Sequence, residues 1–556
     1  MRRLTQNIPQ NIPQNIPWKL ACAGIFSAAL LVLSFPPYSA WGLAFVGMVP
    51  FLLALFRARS YWDAFWIGFP TMVTFIWFGF RWISFVATNF GGLPWIVGQL
   101  VLLLFSFFAE AQFLIFALVG YSLLTQLRTK NRRSVLSLVV LVILPLAYVG
   151  FDFAYPKIFP SAFGHVLYEW FSVAQAAEYT GVYVLSLPIL FVNMAVAVIL
   201  HSRREKLAPV WAALTVIALV SVSLGLAHRW GKTRIDEIRA LEESYTRGLK
   251  VSIIQANIGD MDKLASESGF QPAVRRVLGT YRDMTVEAVT KEKPDLVIWP
   301  ETAFPFLYTH FEDERANRVG AARDSFIYDV MREIKTPLYF GSYSQENRKD
   351  FNSAFLIKPP FELYARYRKA ILLAFGEYVP LGPLSPFIQD LVPTIANFGR
   401  GPGPIVIDFN GFKLGPQICY EGIYPEHPRG GVSQGVEIML NITNDSWFGE
   451  TTEPWLHLAL TAFRSIELRR PMIRATNTGI STIIDMTGEL RYRTRLFEPA
   501  TLTTTVRAPG TAQLAPTTFY LRHGEIFARI CALIACVAAI AAFAPALSKK
   551  VTRQRR

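Results

Sequence analysis

Long apolar runs recur through the N-terminal part of the chain, at 18–35, 40–56, 64–86, 94–126, 134–153, 181–200 and 208–227, and once more at 525–546. A helix needs ~20 apolar residues to cross a bilayer, so each run predicts a membrane helix. The run at 94–126 is longer and carries Glu110, which predicts a tilted helix or one that extends past the lipid. Before the first run, Asn-Ile-Pro-Gln repeats through Pro17. Proline every fourth residue forbids a helix and predicts a disordered leader over 1–17.

Between the seventh and eighth runs the pattern shortens. Apolar stretches at 250–258, 295–299, 337–342, 353–357, 405–409, 412–418, 436–442, 472–475 and 481–485 predict strands, and helical spacing near 271–291, 313–333 and 454–469 predicts helices among them. Pro294 and Pro471 punctuate these elements. Strands apolar on both faces, alternating with helices, predict a layered α/β sandwich. The chain thus reads as a leader (1–17), a seven-helix segment (18–227), an α/β domain (228–524), an eighth helix (525–546) and a basic tail (547–556).

Composition agrees with this division. Of 556 residues, 52% are hydrophobic, and the mean hydropathy of +0.30 is one that soluble globular proteins rarely reach. The formal charge of +14 would suit nucleic acid, but the positions of the charges point elsewhere. Arg2, Arg3 and Lys19 precede the first run, and Arg57 and Arg59 follow the second. Arg128, Lys130, Arg132 and Arg133 follow the fourth, Arg203, Arg204 and Lys206 the sixth, and Lys549, Lys550, Arg553, Arg555 and Arg556 the eighth. The loops at 35–40 and 87–93 carry no charge. By the positive-inside rule the basic segments are cytoplasmic, giving eight spans with both ends inside and residues 228–524 on the outer face. These basic residues outnumber the whole net excess, so basicity reports topology and no nucleic-acid partner is indicated. The four cysteines have neither CxxC nor paired spacing, which supports no disulfide framework and no zinc site.

Candidate chemistry gathers around Gln417-Ile418-Cys419-Tyr420-Glu421-Gly422. Cys22, Cys531 and Cys536 lie in apolar runs, whereas Cys419 ends a predicted strand before a Gly-Ile-Tyr-Pro turn. Such a cysteine is either a buried structural thiol or a nucleophile presented by a turn. Glu301 ends another strand, among tryptophan, phenylalanine and proline; it is either an exposed strand-end carboxylate or a desolvated general base. Lys369, in Tyr367-Arg368-Lys369, is either a surface lysine or a fixed ammonium suited to a developing oxyanion. Glu377 and Glu421 follow Lys369 and Cys419 closely and are candidates to orient them. A carboxylate, an amine and a thiol supply base, electrostatic stabiliser and nucleophile without a metal. HExxH, GxSxG and Walker patterns are absent.

WPET around Glu301, YRKAILLAFGEYVPL around Lys369 and QICYEG around Cys419 resemble, in order, the Glu-Lys-Cys triad of the nitrilase superfamily. With TNDSWFG (443–449), RPMIRATNTGIS (470–481) and the apolar runs, the chain from about residue 18 is similar to the membrane-embedded branch of that superfamily, the apolipoprotein N-acyltransferases. The resemblance implies a nitrilase-like αββα sandwich inserted into an eight-helix transmembrane bundle of the bacterial inner membrane, its catalytic domain periplasmic. It implies Glu301 as general base, Lys369 as oxyanion stabiliser and Cys419 as the acylated nucleophile, with Glu377, Tyr420 and Glu421 supporting the triad or the substrate. Asn444, Asp445 and Trp447–Gly449 match a family signature without an assigned chemical role. The implied partners are a phospholipid acyl donor such as phosphatidylethanolamine and a diacylated apolipoprotein acceptor; no cofactor is implied. The family pattern Gln-Gly-Asn-Ile, with a tryptophan soon after, appears here as Gln255-Ala256-Asn257-Ile258 followed by Gly-Asp-Met-Asp-Lys-Leu. The tryptophan is missing, a departure in the loop through which the family's lid contacts lipid.

Two other functions use the same residues differently. A membrane-anchored nitrilase-like amidohydrolase would end the cycle with water, although such chemistry needs no membrane frame. A transporter or assembly factor would depend on intramembrane charge, for which Glu110 and Arg81 are the candidates.

Overall fold

The computed structural model describes residues 16–89, 91–129, 133–310, 318–380, 382–386, 396–509 and 516–554. The leader up to residue 15, and Lys130, Arg132, Arg555 and Arg556, lie outside the described residues. Each of the eight apolar runs is helical, but the runs are not eight equivalent spans. The helices at Ser134–Ala154, Tyr183–His201, Val210–Ser244 and Ile526–Ala544 are long and apolar enough to cross a bilayer. Counting each of two bent pairs as one span raises the number to six. Trp18–Ser34, of 17 residues, reaches only about 25 Å at ~1.5 Å per residue, short of a ~30 Å hydrocarbon core.

The two bends have identifiable causes. Tyr61–Gly79 and Trp82–Asn89 meet at 62°, where Thr452 Oγ1 donates to the freed carbonyl of Gly79 at 2.8 Å and Trp82 meets Phe448 edge-on at 4.9 Å. Trp95–Ala109 and Gln112–Thr129 meet at 53°, so the long run is broken at Glu110 rather than tilted as one helix. Glu110 is drawn inward there: it lies 3.7 Å from Lys157 Nζ, which pairs with Asp152 at 2.5 Å. Buried charges persist in such a setting only when paired. The last helix before the sandwich, Val210–Ser244, runs well beyond its apolar stretch and is continuous over 35 residues.

Among the described residues, twelve strands then form two six-stranded sheets. In the first, β1 (Gly248–Gln255), β2 (Leu296–Ile298), β3 (Leu338–Glu346), β4 (Lys349–Lys358), β5 (Glu362–Arg368) and β12 (Ala500–Arg507) take the order β12-β1-β2-β3-β4-β5. The second comprises β6 (Ile407–Phe409), β7 (Phe412–Ile418), β8 (Ile438–Thr443), β9 (Met472–Thr476), β10 (Thr482–Ile484) and β11 (Leu490–Arg491), ordered β11-β10-β9-β8-β7-β6. Side chains alternate across each strand. Leu249, Val251, Ile253, Leu296 and Ile298 thus join Leu414, Ile438, Leu440 and Ile442 in one core between the sheets. The opposite faces take Ile254, Val297 and Trp299 under the helices Gln271–Glu292 and Arg318–Ile334, and Met439 and Met472 under Glu453–Leu468. The result is an αββα sandwich. Strands β5, β11 and β12 were not predicted: β5 interleaves Glu362, Arg366 and Arg368 with its apolar positions, and β12 is threonine-rich, so neither shows an apolar run.

Helical frame and sandwich share buried polar contacts. Arg469 donates from Nε and Nη1 to Glu178 Oε2 and Gln175 Oε1, each at 2.7 Å. Gln175 Nε2 donates to the carbonyl of Thr487 at 3.0 Å.

Candidate active site

Parallel strands direct their carboxyl ends to the same edge of a sheet, where α/β folds collect functional groups. Here β2 delivers Glu301, β5 delivers Lys369, β7 delivers Cys419, and β8 delivers Asn444. Cys419 begins a 3-10 turn, Cys419–Gly422, with φ of +54°. A left-handed conformation is uncommon for a residue with a side chain and is held in place by its surroundings. Gly341 on β3 lets the opposite segment approach: a Cβ there would stand 2.6 Å from Glu301 Cα.

The charged groups form one buried network. Lys369, 1% exposed, donates from Nζ to Glu377 Oε1 at 2.9 Å and lies 3.4 Å from Glu301 Oε1. Asn352, on β4, donates from Nδ2 to both carboxylates, at 2.7 Å to Glu301 Oε1 and 2.9 Å to Glu377 Oε1. The backbone N–H of Asn444 holds the other Glu301 oxygen at 2.9 Å. Burial alone would lower the Lys369 amine, but Glu377, then Glu301 and Cys419, hold it well above its ordinary value. It is therefore a fixed ammonium. Burial pushes the Cys419 thiol well up, Glu301 adds to that, and Lys369 pulls the other way. The sulfur thus responds to both expected partners and rests as a thiol.

Glu421 does not face this network. Its Oε1 accepts from Tyr367 Oη (2.7 Å) and from the backbone N–H groups of Ala370 (2.6 Å) and Ile371 (3.1 Å), and its Oε2 accepts from the Ile418 N–H at 2.7 Å. It clasps the chain just before Cys419 to the chain just after Lys369. Tyr420 turns toward the helical frame, edge-on to Phe159 at 5.7 Å, and stacks on His457 at 5.3 Å.

The structure places Glu301, Lys369 and Glu377 in one hydrogen-bonded group, with the buried Cys419 electrostatically linked to Glu301 and Lys369; Asn352 and Lys263 are not among the residues that the sequence singles out. Lys263 lies on the helix Asp260–Glu267, in the loop that departs from the tryptophan pattern. Among the described residues, Asp445, Glu453 and His457 are grouped closely enough to hold a cation. All three are fully buried, and Arg474 Nη2 lies 3.2 Å from Asp445 Oδ2. Burial and Arg474 would lower His457, but Asp445 and Glu453 hold it above its ordinary value.

Comparison with known proteins bears on both halves of the chain. The family model for carbon-nitrogen hydrolases matches residues 250–515, and that for the apolipoprotein N-acyltransferase N-terminal domain matches residues 27–195. An apolipoprotein N-acyltransferase of Geobacter metallireducens is 34% identical, with 93% of this chain and 94% of that protein aligned. One of Bdellovibrio bacteriovorus is 31% identical, with 90% of each aligned. Among solved structures, an amidase from Nesterenkonia sp. is similar to 48% of this chain over 93% of its own, at 19% identity and a TM-score of 0.35.

Proposed function

Because the chain belongs to the apolipoprotein N-acyltransferase family, we propose that it moves an acyl chain from a phospholipid to the N-terminal amine of a diacylated apolipoprotein, with Cys419 as the covalent carrier. The observation that supports this reading is the meeting of Glu301 and Lys369 at strand ends, 3.4 Å apart and joined through Glu377 and Asn352, with the buried Cys419 thiol under the electrostatic influence of both.

In the first half-reaction Glu301 takes the Cys419 proton and the sulfur attacks the ester carbonyl carbon of the donor. The Lys369 ammonium stabilises the oxyanion, which carries its charge chiefly in the transition state. The carbon–oxygen bond breaks, Glu301 returns the proton to the departing glycerol oxygen, and a lysophospholipid leaves. In the second half the α-amine of the lipid-modified cysteine attacks the thioester carbon. The carbon–sulfur bond breaks, and Glu301 passes a proton from the amine to the leaving sulfur. Phosphatidylethanolamine fits as donor because the chemistry consumes one ester-linked chain and leaves the headgroup intact.

On this reading the helical frame lies in the inner membrane and the sandwich on its periplasmic side. Support comes from the charge of the connecting segments and from ring contacts that tie two turns of the sandwich to the frame, Tyr420 of the cysteine turn to Phe159 and Phe448 of the turn after β8 to Trp82. Drawing an acyl chain into water costs about 0.8 kcal/mol per methylene, a cost avoided by a site at the lipid boundary.

The test is mass spectrometry of the intact protein after mixing with phospholipid. The wild type gains one acyl group, and Cys419→Ala gains none; acylation that survives the substitution overturns the assignment. Adding a diacylated lipopeptide then discharges the enzyme onto the peptide amine. Release of free fatty acid instead would identify a hydrolase.

A further inference from the structure

Lys263 is 4% exposed, although it comes from a short helix whose Met261 stands open. Its Nζ donates to Thr302 Oγ1, the residue next to Glu301, and lies 5.3 Å from the centre of the Trp447 ring. With its amide turned so that the oxygen meets the ammonium, Asn444 accepts from the same Nζ, and from Trp447 Nε1 at 3.2 Å. The backbone N–H of Asn444 is the donor that holds Glu301 Oε2. One side chain therefore grips both segments that fix the carboxylate. Thr302 has a φ of +49°, a conformation that persists only where neighbours over-determine it.

We propose that Lys263 is a positioning residue for Glu301: its ammonium ties the turn that carries the carboxylate to the segment that donates to it, and its charge biases the proton exchange between Glu301 and Cys419. The inference rests on the reading of Cys419 as the acylated nucleophile. The charged and titratable groups facing Lys263 are Asp260 and Glu267 on its own helix, Glu301 after β2 and Cys419 after β7. Glu267 is itself held by Tyr343 Oη of β3 at 2.9 Å. Burial is the largest influence and leaves the amine below its ordinary value, with these four groups opposing it. The cation thus faces Glu301 across the two segments that it ties, through Thr302 and Asn444.

The test uses the full chain in phospholipid vesicles and follows acylation of Cys419 by intact mass. Lys263→Met keeps the stem and removes the charge. It is expected to slow maximal acylation by about 10- to 100-fold, as for outer-shell partners that orient a reacting group. Half-saturation by phospholipid should change less than about twofold, because an effect confined to the chemical step leaves ground-state binding intact. Lys263→Arg, which keeps a cation at this place, restores most of the rate. A wild-type rate for Lys263→Met, or a slow rate that Lys263→Arg leaves unrestored, overturns the proposal. Should Lys263→Met fail to fold, Thr302→Val decides: it keeps the charge and removes the tie, so its acylation slows at unchanged half-saturation, and a wild-type rate overturns the proposal. Wild-type acylation with an indifferent Lys263→Met defeats this inference alone. A wild type that never acylates defeats the acyl-enzyme reading and this inference with it.

Discussion

Cys419 rests as a thiol because burial and Glu301 outweigh the pull of Lys369, so its reactivity depends on where the proton can go and on what balances the charge left behind. Lys369 does the balancing, and its own charge depends on Glu377 more than on any other carboxylate. A lysine held above its ordinary value stabilises the fold fully below that value, and the stabilisation is lost as pH rises through the folded-state value. Replacing Glu377 by Gln removes the larger support, so both stability and acylation should begin to fall at lower pH on the alkaline side. Losing one member of a buried pair costs about 3–5 kcal/mol, which thermal melts across an alkaline pH series would register. Glu301 and Cys419 stand out in the sequence because each follows an apolar strand, whereas Lys369 follows the arginine-bearing β5 and stands out only within YRKAILLAFGEYVPL. Asn352 was not legible: an asparagine within β4 looks like a fault in the strand until the two carboxylates on either side of its amide are seen.

The elements bearing the triad are kept in register by Glu421, which reads from the sequence as a companion of the thiol and acts in the structure as a clasp between β7 and the end of β5. Its four donors include three backbone N–H groups, and charge-assisted hydrogen bonds are roughly twice as strong as neutral ones. Glu421→Gln replaces an acceptor with a donor facing one of those groups. The expected outcome is about 2–4 kcal/mol of lost stability, with slower acylation at unchanged half-saturation by phospholipid. Chemical denaturation and acylation kinetics on the same preparation check this; wild-type stability would contradict it. Most strands of the sandwich were legible because their apolar runs are buried on both faces. The strand delivering Lys369 was not, since β5 lies at a sheet edge and its arginines interrupt the pattern.

At the scale of the molecule, frame and sandwich share one continuous apolar core, and buried charge is set into their junction. Arg469 of the sandwich meets Glu178 of the frame, with Nη2 to Oε2 at 2.6 Å, and Arg234 reaches the same oxygen at 3.1 Å. Arg469→Met leaves Gln175 without that donor and Glu178 with Arg234 alone. It should cost about 3–5 kcal/mol, which calorimetry in detergent registers as a lower melting temperature; an unchanged melt would contradict it. Hydropathy located the long helices of the frame but not the short ones, Phe163–Tyr168, Phe171–Ala174 and Ala177–Thr180. It did not count the spans, because runs of similar composition became short helices, bent pairs or a helix far longer than its apolar stretch.

That longest helix has a further meaning. Val210–Ser244 is an unbroken rod of 35 residues, about 52 Å at ~1.5 Å each, and a bilayer core accounts for only ~30 Å of it. The remainder still follows the frame, with Gly231 close against Ser172 and Arg234 on Glu178 at 3.1 Å, before Arg239 reaches Glu489 of the sandwich at 2.8 Å. One inserted turn between Gly231 and Arg239 would carry the last of these grips about 5 Å along the axis and set the two halves out of step, with every residue around the sulfur untouched.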